Sequence, residues 1–467
     1  MEKTQLTKRE FLKLSALGGL GLFFMDFYHL FPKNDSDVIF LSKKDKRYDE
    51  FRVGYNLRID QYPAYIALCL TEKGVQKAVN FAREEKLKIT VKSGGHSFEG
   101  FSSNNQQLMI NLSLMNKINW LDKAHVKLEP ACLLQDIYAN FLPKKRILPA
   151  GSCGTVAIAG LTLGGGYGFF GKKFGLTCDS LYRVRMVNAK GEIVDSDHDS
   201  SLLWACRGGG NGNFGVVTAL YFNTYKAPDF FHAHRLKFRN LTAENYQKIM
   251  QLWFSISDKL PEEAFSAAVL NGKTLTILVT HILASDNGFS KQLQRLISLA
   301  SEYKAMPNRN LAAALKNYYG RKDPLIFKNA SAGLYTDYDE VKEVLKSVFE
   351  KVVSQPGTIY QINTLGGKIN SVGNTETAYP HRNKKYLAEL QAYWTDRKRD
   401  KNIIDNFNSI QQIIEKNGVQ AHYRNYPDLD FSNANKKYFQ ENLARLEQLK
   451  NKYDPNQLFD YPQVIGK

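Results

Sequence analysis

Two residues able to act as nucleophiles, His96 and Cys153, each stand inside a glycine-rich loop. His96 lies in KSGGHS (Lys92–Ser97). Cys153 is the fourth residue of a stretch from Ala150 to Asp179, AGSCGTVAIAGLTLGGGYGFFGKKFGLTCD, that holds nine glycines and two of the five cysteines. A third cluster, RGGGNGNFG, occupies Arg207–Gly215. Glycine lets a backbone approach a flat or phosphorylated ligand because no side chain stands in the way. An imidazole nitrogen or a thiolate sulfur on such a loop can attack an electrophilic ring carbon. Three glycine clusters separated by strand-like and helix-like segments point to one large cofactor lying against several loops.

Polar side chains also share strand faces. Gln361 and Asn363 are two apart on a predicted strand, as are Glu389, Gln391 and Tyr393 on another, so each set faces one way. Such groups suit a hydroxylated ligand; the alternative is a solvated strand face.

The elements that must position these residues follow the order of the chain. Ala64–Leu70 is a predicted strand, and Thr71–Glu85 a helix with Val75, Val79 and Ala82 on one face. Lys88–Lys92 is a strand ending in the SGGHS loop, Leu108–Asn111 another strand, and Leu133–Phe141 a helix. Leu181–Asn188 and Glu192–Val194 form a hairpin turning at Ala189-Lys190-Gly191. A helical turn at Ser201–Cys206 leads to the third glycine cluster, and Val216–Thr224 is a strand. From Phe230 the texture changes to alternating strands (Ala267–Leu270, Leu275–Val279, Thr358–Asn363, Leu387–Trp394). Helices at Asn240–Asp258, Ser290–Tyr303 and Asp337–Val353 lie between them, with further helices at Asp405–Lys416 and Lys436–Lys452. The expected architecture is α+β, with an antiparallel sheet covered by helices on one side. The tail, YDPNQLFDYPQV, is expected to return to the first domain.

With 467 residues, the chain is long enough for two or three cores. A hydrophobic content of 43% with 12% aromatics is that of a globular protein. The net charge of +17 comes from scattered lysines without a dense basic block, which describes a basic surface and not a nucleic-acid reader. Cys69, Cys132, Cys153, Cys178 and Cys206 show no CxxC pair or zinc-like spacing, so no metal site is expected. At the N-terminus, Thr7-Lys8-Arg9-Glu10-Phe11-Leu12-Lys13 precedes an apolar run, Leu14–Met25, too short for a membrane span. This pattern resembles a twin-arginine export signal with Lys8 in place of the first arginine; the alternative is a helix that docks or anchors at a membrane.

Gly166–Gly171 and Gly210–Gly215 both match GxGxxG. The first runs into Lys172-Lys173 and another glycine instead of opening a helix, which leaves a doubly wound dinucleotide fold as the runner-up.

Four motifs together, KSGGHS, GSCGTVAIAGLTLGGGYG, LGGKINSV with AYPHR, and YRNYPDLDF, resemble the berberine bridge enzyme-like branch of the vanillyl-alcohol-oxidase and PCMH-type flavoproteins. The likeness runs from about Tyr55 to Gln463. It implies FAD joined through His96 to the 8α-methyl and through Cys153 to C6. It also implies cofactor contacts from Ser93, Gly94, Gly95 and Ser97 in the first loop. The second stretch would contribute Gly151, Thr155, Val156 and Gly160, together with Gly165, Gly166 and Gly168. Gly215, Val217 and Asn425 complete the implied set. Val156 matches a gate beside the oxygen-reactive edge, where valine accompanies oxidases.

By the same resemblance Tyr426 is the base that takes a hydroxyl proton, Tyr423 lines the site and Tyr167 is an active-site tyrosine. An unperturbed tyrosine titrates at about 10, so a base role needs a partner that favours phenolate. Gln361, Asn363, Glu389, Gln391 and Phe98 would face substrate, Phe98 replacing a tyrosine carried by some sugar-oxidising members. The implied organisation is an export signal or anchor (1–33), a first FAD-domain part (34–226), a substrate domain (227–405) and a C-terminal segment returning to the FAD domain (406–467).

The expected activity is oxidation of an alcohol or hemiacetal carbon of a sugar or oligosaccharide. Hydride passes to flavin N5 and oxygen becomes hydrogen peroxide. A dehydrogenase of an aromatic alcohol or glycosylated metabolite with another acceptor is one alternative. A non-catalytic flavin-containing binding protein is another, and the retained Tyr167, Tyr423 and Tyr426 argue against it.

Overall fold

A computed structural model describes residues 36–286, 288–306 and 310–467. The expected export segment, 1–33, lies outside the described residues. Among the described residues no helix is long and apolar enough to cross a membrane.

The N-terminal part holds two main sheets and a two-stranded ribbon that pairs Tyr225–Lys226 with Arg146–Ile147. In the first, the strands run in the order Val38–Leu41, Tyr65–Cys69, Leu108–Asn111, Ile89–Lys92, with the last three parallel to one another. The crossover helix Glu72–Glu84 starts where Thr71 Oγ1 accepts the Gly74 N–H, one of the donors a helix start leaves open. Its fully buried Val75, Ala78, Val79 and Ala82 close this core, each large apolar side chain contributing about 1.5–3 kcal/mol. The strand Ile89–Lys92 delivers the SGGHS loop from its carboxyl end. The second sheet is antiparallel, in the order Ile118–Trp120, His125–Leu128, Gly215–Asn223, Leu181–Asn188, Ile193–Asp195. This mixture excludes the doubly wound alternative.

The second layer is a seven-stranded sheet in which every pairing is antiparallel. Its order is Glu302–Met306, His232–Phe238, Thr274–His281, Ala264–Asn271, Thr358–Thr364, Tyr386–Trp394, Ile326–Tyr335. The period of two sorts its side chains. Leu236, Ala268, Ile277, Tyr360, Ile362 and Leu390 face the helices Ala243–Ser257, Phe289–Leu299, Leu345–Ser354 and Asp400–Lys416. Ala267, Leu278, Gln361, Asn363 and Glu389 face the glycine stretch instead. The fold is α+β, with the expected helix-covered antiparallel sheet.

The C-terminal tail packs on the first sheet. Ile89 N–H donates to Leu458 O (2.8 Å), Asp460 N–H to Ile89 O (3.1 Å), and Phe459 is fully buried among the apolar residues there.

Three expected helices differ. The one beginning near Ser290 ends at Leu299, and Tyr303 sits in the edge strand Glu302–Met306, because the alternating Glu-Tyr-Lys-Ala-Met run pairs with Ala233–Lys237. Residues 337–344 are turns, and that helix starts at Leu345. The last helix is interrupted at Gln440, whose φ of 46° no α-helix accepts.

Candidate active site

Between the glycine loops and the polar face of the seven-stranded sheet lies a cavity of about 1060 Å³. Its floor fits a large flat cofactor. A Cβ built on Gly160 would touch nothing nearer than 4.0 Å, and one on Gly212 nothing nearer than 3.8 Å, so both backbones lie open to a ligand. Asn211 donates to Gly160 O (3.0 Å), while its buried Oδ1 has no partner among the described residues.

His96 and Cys153 both line this floor. Thr155 ties them together, with its Oγ1 3.0 Å from His96 Nε2 and 3.8 Å from Cys153 Sγ. Tyr55 stacks on the imidazole at 4.1 Å and 19°. Enclosure of the imidazole pushes it down to about 4, so the ring is neutral and its free nitrogen nucleophilic at physiological pH. Cys153 is the only one of the five free cysteines that is not buried.

Most of the sequence-predicted cofactor residues reach the cavity: Ser93, Gly94, Gly95, Ser97, Gly151, Val156, Gly160, Gly168, Gly215, Val217 and Asn425. Thr155 stands behind His96 and Cys153. Gly165 and Gly166 do not reach the cavity; they pack behind it, where Gly166 N–H donates to Tyr423 Oη (2.8 Å).

The three tyrosines meet. Tyr167 and Tyr426 hydroxyls are 2.9 Å apart, and Phe98 stacks on Tyr426 at 5.2 Å and 16°. Tyr423 Oη accepts from Gly166 N–H and from Asn425 Nδ2 (3.0 Å), so its lone pairs are committed to the scaffold. Gly164 is where Asn425 needs glycine: a Cβ there would lie 2.0 Å from Asn425 Oδ1. Burial raises all three phenols, and Glu389 adds to the effect at Tyr167 and Tyr426. The neighbours that act most strongly on Tyr426, namely Glu389, Tyr167 and Tyr423, all raise it.

From Tyr167 a hydrogen-bonded wall runs across the strands. Asn363 Nδ2 donates to Tyr167 Oη (3.3 Å), Gln361 Nε2 to Asn363 Oδ1 (2.7 Å), and Gln391 Nε2 to Gln361 Oε1 (3.4 Å). Tyr393 Oη donates to Gln391 Oε1 (3.2 Å) and accepts from Asn329 Nδ2 (2.9 Å). Gln391 thus reaches the site through Gln361 and is not itself on the cavity surface. Glu389, opposite Gln361, is buried on the same face, and burial raises its carboxyl to about 8 against the opposing hydrogen bond from Gln391. It is the only carboxylate among the described residues of the lining.

Sequence reasoning missed Tyr55, Asn329, Asn211 and Phe327. Asn211 sits in the GGGNGN cluster and could have been found there. Asn329 could not, because its strand, IFKNASAGLY, is too rich in small residues to show an alternation.

Two charged clusters hold the layers in register. Arg382 of the AYPHR motif is buried and bidentate to Asp179 (2.6 and 2.9 Å), which ends the glycine stretch. Lys328 binds Asp428 (2.9 Å) and Asp430 (2.7 Å), with Glu99 of the His96 loop at 3.8 Å.

Comparison with known proteins agrees with this geometry. The FAD binding domain model matches residues 63–197, and the model described as berberine and berberine like matches 422–466. The chain is 27% identical over 440 residues to the uncharacterized FAD-linked oxidoreductase YgaK of Bacillus subtilis, covering 91% of this chain and 96% of that protein. It is 29% identical over 461 residues to a carbohydrate oxidase of Microdochium nivale, covering 88% and 89%. The solved structure of a chitooligosaccharide oxidase superposes with a TM-score of 0.84 at 26% identity, covering 92% of this chain and 97% of that one. A glycine-floored cavity, the two matched domains and relatives along nearly the whole chain lead to one conclusion: the chain carries the FAD-binding and berberine-like domains of the berberine bridge enzyme-like FAD-linked oxidoreductases, resembles them along nearly its whole length, and is an FAD-dependent oxidoreductase.

Proposed function

We propose that this chain, carrying FAD attached through both His96 and Cys153, oxidises a hydroxyl or hemiacetal carbon of a mono- or oligosaccharide to the carbonyl or lactone. The observation that carries this reading is the continuous wall of amides and phenols from Tyr426 to Asn329, which offers partners to several hydroxyls at once. FAD, when bound, supplies the two-electron acceptor and passes the electrons to oxygen, giving hydrogen peroxide.

The chain's own residues orient and deprotonate. Thr155 engages His96 Nε2 and leaves Nδ1 for attachment. The Tyr426 and Tyr167 hydroxyls grip the substrate hydroxyl between them. Tyr426 takes its proton and, because the neighbours acting on it most strongly disfavour a lasting phenolate, releases its own toward Glu389, the only carboxylate among the described residues of the lining. Gln361 and Asn363 hold neighbouring hydroxyls, and Val156, half-buried on the floor, leaves room for oxygen. The twin-arginine-like segment supports export of the folded, flavin-loaded protein, with the N-terminus as a point of peripheral membrane contact.

A second reading, a dehydrogenase of an aromatic alcohol, has one observation in its favour. Phe98 and Phe327 meet edge-on at 5.5 Å within the lining, beside Tyr426. Aerobic turnover separates the two. Chito- and cello-oligosaccharides should yield lactone and hydrogen peroxide in equal amounts. Turnover confined to aromatic alcohols with a quinone acceptor would select the second reading.

A further inference from the structure

A second cluster of reactive side chains lies on the opposite face of the seven-stranded sheet, under the helices. His234 comes from the strand His232–Phe238, His281 from the end of Thr274–His281, and Asp286 from the turn before the helix Phe289–Leu299. Val279 and Leu236, neighbours of the histidines on that face, belong to the helix-covered core, whereas Leu278 faces the flavin cavity. The cluster is therefore no part of the active site.

Both imidazoles are buried, their side chains 2% and 0% exposed, while Asp286 is 38% exposed. Nε2 of His234 and Nε2 of His281 converge on the same carboxylate oxygen, at 3.1 and 3.0 Å. The three candidate ligand atoms all lie within 4.8 Å of one another. A tetrahedral zinc with bonds of about 2.0–2.1 Å keeps its ligand atoms about 3.3 Å apart, so the two contacts to Asp286 are already near that spacing. Tyr303 Oη stands 3.0 Å from His234 Nδ1 and can fix the ring with Nε2 directed at an ion.

The competing explanation is a carboxylate that merely accepts two imidazole N–H groups. It leaves two costs without a return. His281 Nδ1 is buried with no partner among the described residues, and so is Nε2 of His232, whose ring stacks on His281 at 4.5 Å. Burying such a group without a partner is unfavourable, and apolar residues would close the same space without it. We propose that His234, His281 and Asp286 bind one divalent transition-metal ion, zinc by the character of the donor set, which ties the turn carrying Asp286 to two strands of the sheet. The cysteine spacing argues against a thiolate site but is silent on histidines that meet only through strand pairing. The fourth position opens on the exposed side of Asp286, where water completes the shell.

The test uses full-length, flavin-loaded protein without a histidine tag, stripped with chelator and dialysed against Zn²⁺. Wild type should retain close to one zinc per chain by plasma mass spectrometry and melt at a higher temperature with zinc than without. Asp286→Asn and His281→Gln should each weaken zinc binding at least tenfold and abolish the rise in melting temperature. His125→Gln, which disrupts the exposed His125–Asp122 pair, should change neither. If His281→Gln fails to fold, Asp286→Asn at its more exposed position decides alone. Failure of wild type to retain zinc, or equal retention by Asp286→Asn, overturns the proposal.

Discussion

Replacing Glu389 by Gln removes the only carboxylate of the described cavity lining and keeps nearly the same shape. Burial raises this carboxyl from its ordinary value near 4.5 to about 8. At pH 6, about 1% of such a group is ionised, and at pH 9 about 90%. If the substrate's proton comes to rest there, the anaerobic rate of flavin reduction should climb about tenfold per pH unit below pH 8 and then level off. Glu389→Gln should be flat across that range and about 10²–10⁴-fold slower on the plateau. Stability carries the same signature. A carboxyl whose folded value lies above its unfolded value contributes stability fully below about 4.5, and that contribution is lost as pH rises through about 8. At about 1.36 kcal/mol per pH unit, the loss is on the order of 5 kcal/mol at most. Wild type should therefore melt progressively lower between pH 5 and 8, and Glu389→Gln should lose that slope. Stopped-flow absorbance and thermal melts over pH 5–9.5 read both. Identical pH–rate profiles and melting slopes in the two proteins would refute the reasoning.

Tyr426→Phe should slow flavin reduction about 10²–10⁴-fold with flavin content intact; a near-wild-type rate would move the hydroxyl contact to Tyr167. Wild type should stay yellow after acid precipitation, single His96→Ala and Cys153→Ala variants should keep one bond with an altered absorption spectrum, and the double variant should release its flavin. Val156→Leu should slow reoxidation by oxygen far more than reduction by substrate, because an added methylene crowds a packed floor; equal effects on both half-reactions would remove the gate. Lys328→Met should cost about 3–5 kcal/mol in denaturant melts, since it leaves Asp428 buried without its cation, while Glu99 keeps its ion pair with Arg58.

The sequence revealed the site where its signals are local. Glycine clusters mark the cavity floor because close approach of backbone leaves a compositional trace, and Gln361, Asn363 and Glu389 fall on one face because a strand alternates. The strands Val38–Leu41 and Ile326–Tyr335 escaped notice because edge position and small residues blur that alternation. Contacts set by pairing between distant strands leave no local trace. Asn329 meets Tyr393 only because their strands lie side by side, and Tyr55 meets His96 only because its loop folds over the first sheet. The same holds for His234 and His281, which no spacing rule would join. The raised carboxyl of Glu389 is likewise a property of the closed cavity, not of the residues beside it in the chain.

The most direct test of the central claim is anaerobic bleaching of the holoenzyme by a panel of saccharides. One or more mono- or oligosaccharides should bleach the flavin fully, forming one lactone or carbonyl per flavin, and the colour should return on admitting oxygen. Flavin that stays yellow with every saccharide would contradict it, whether or not an aromatic alcohol bleaches it.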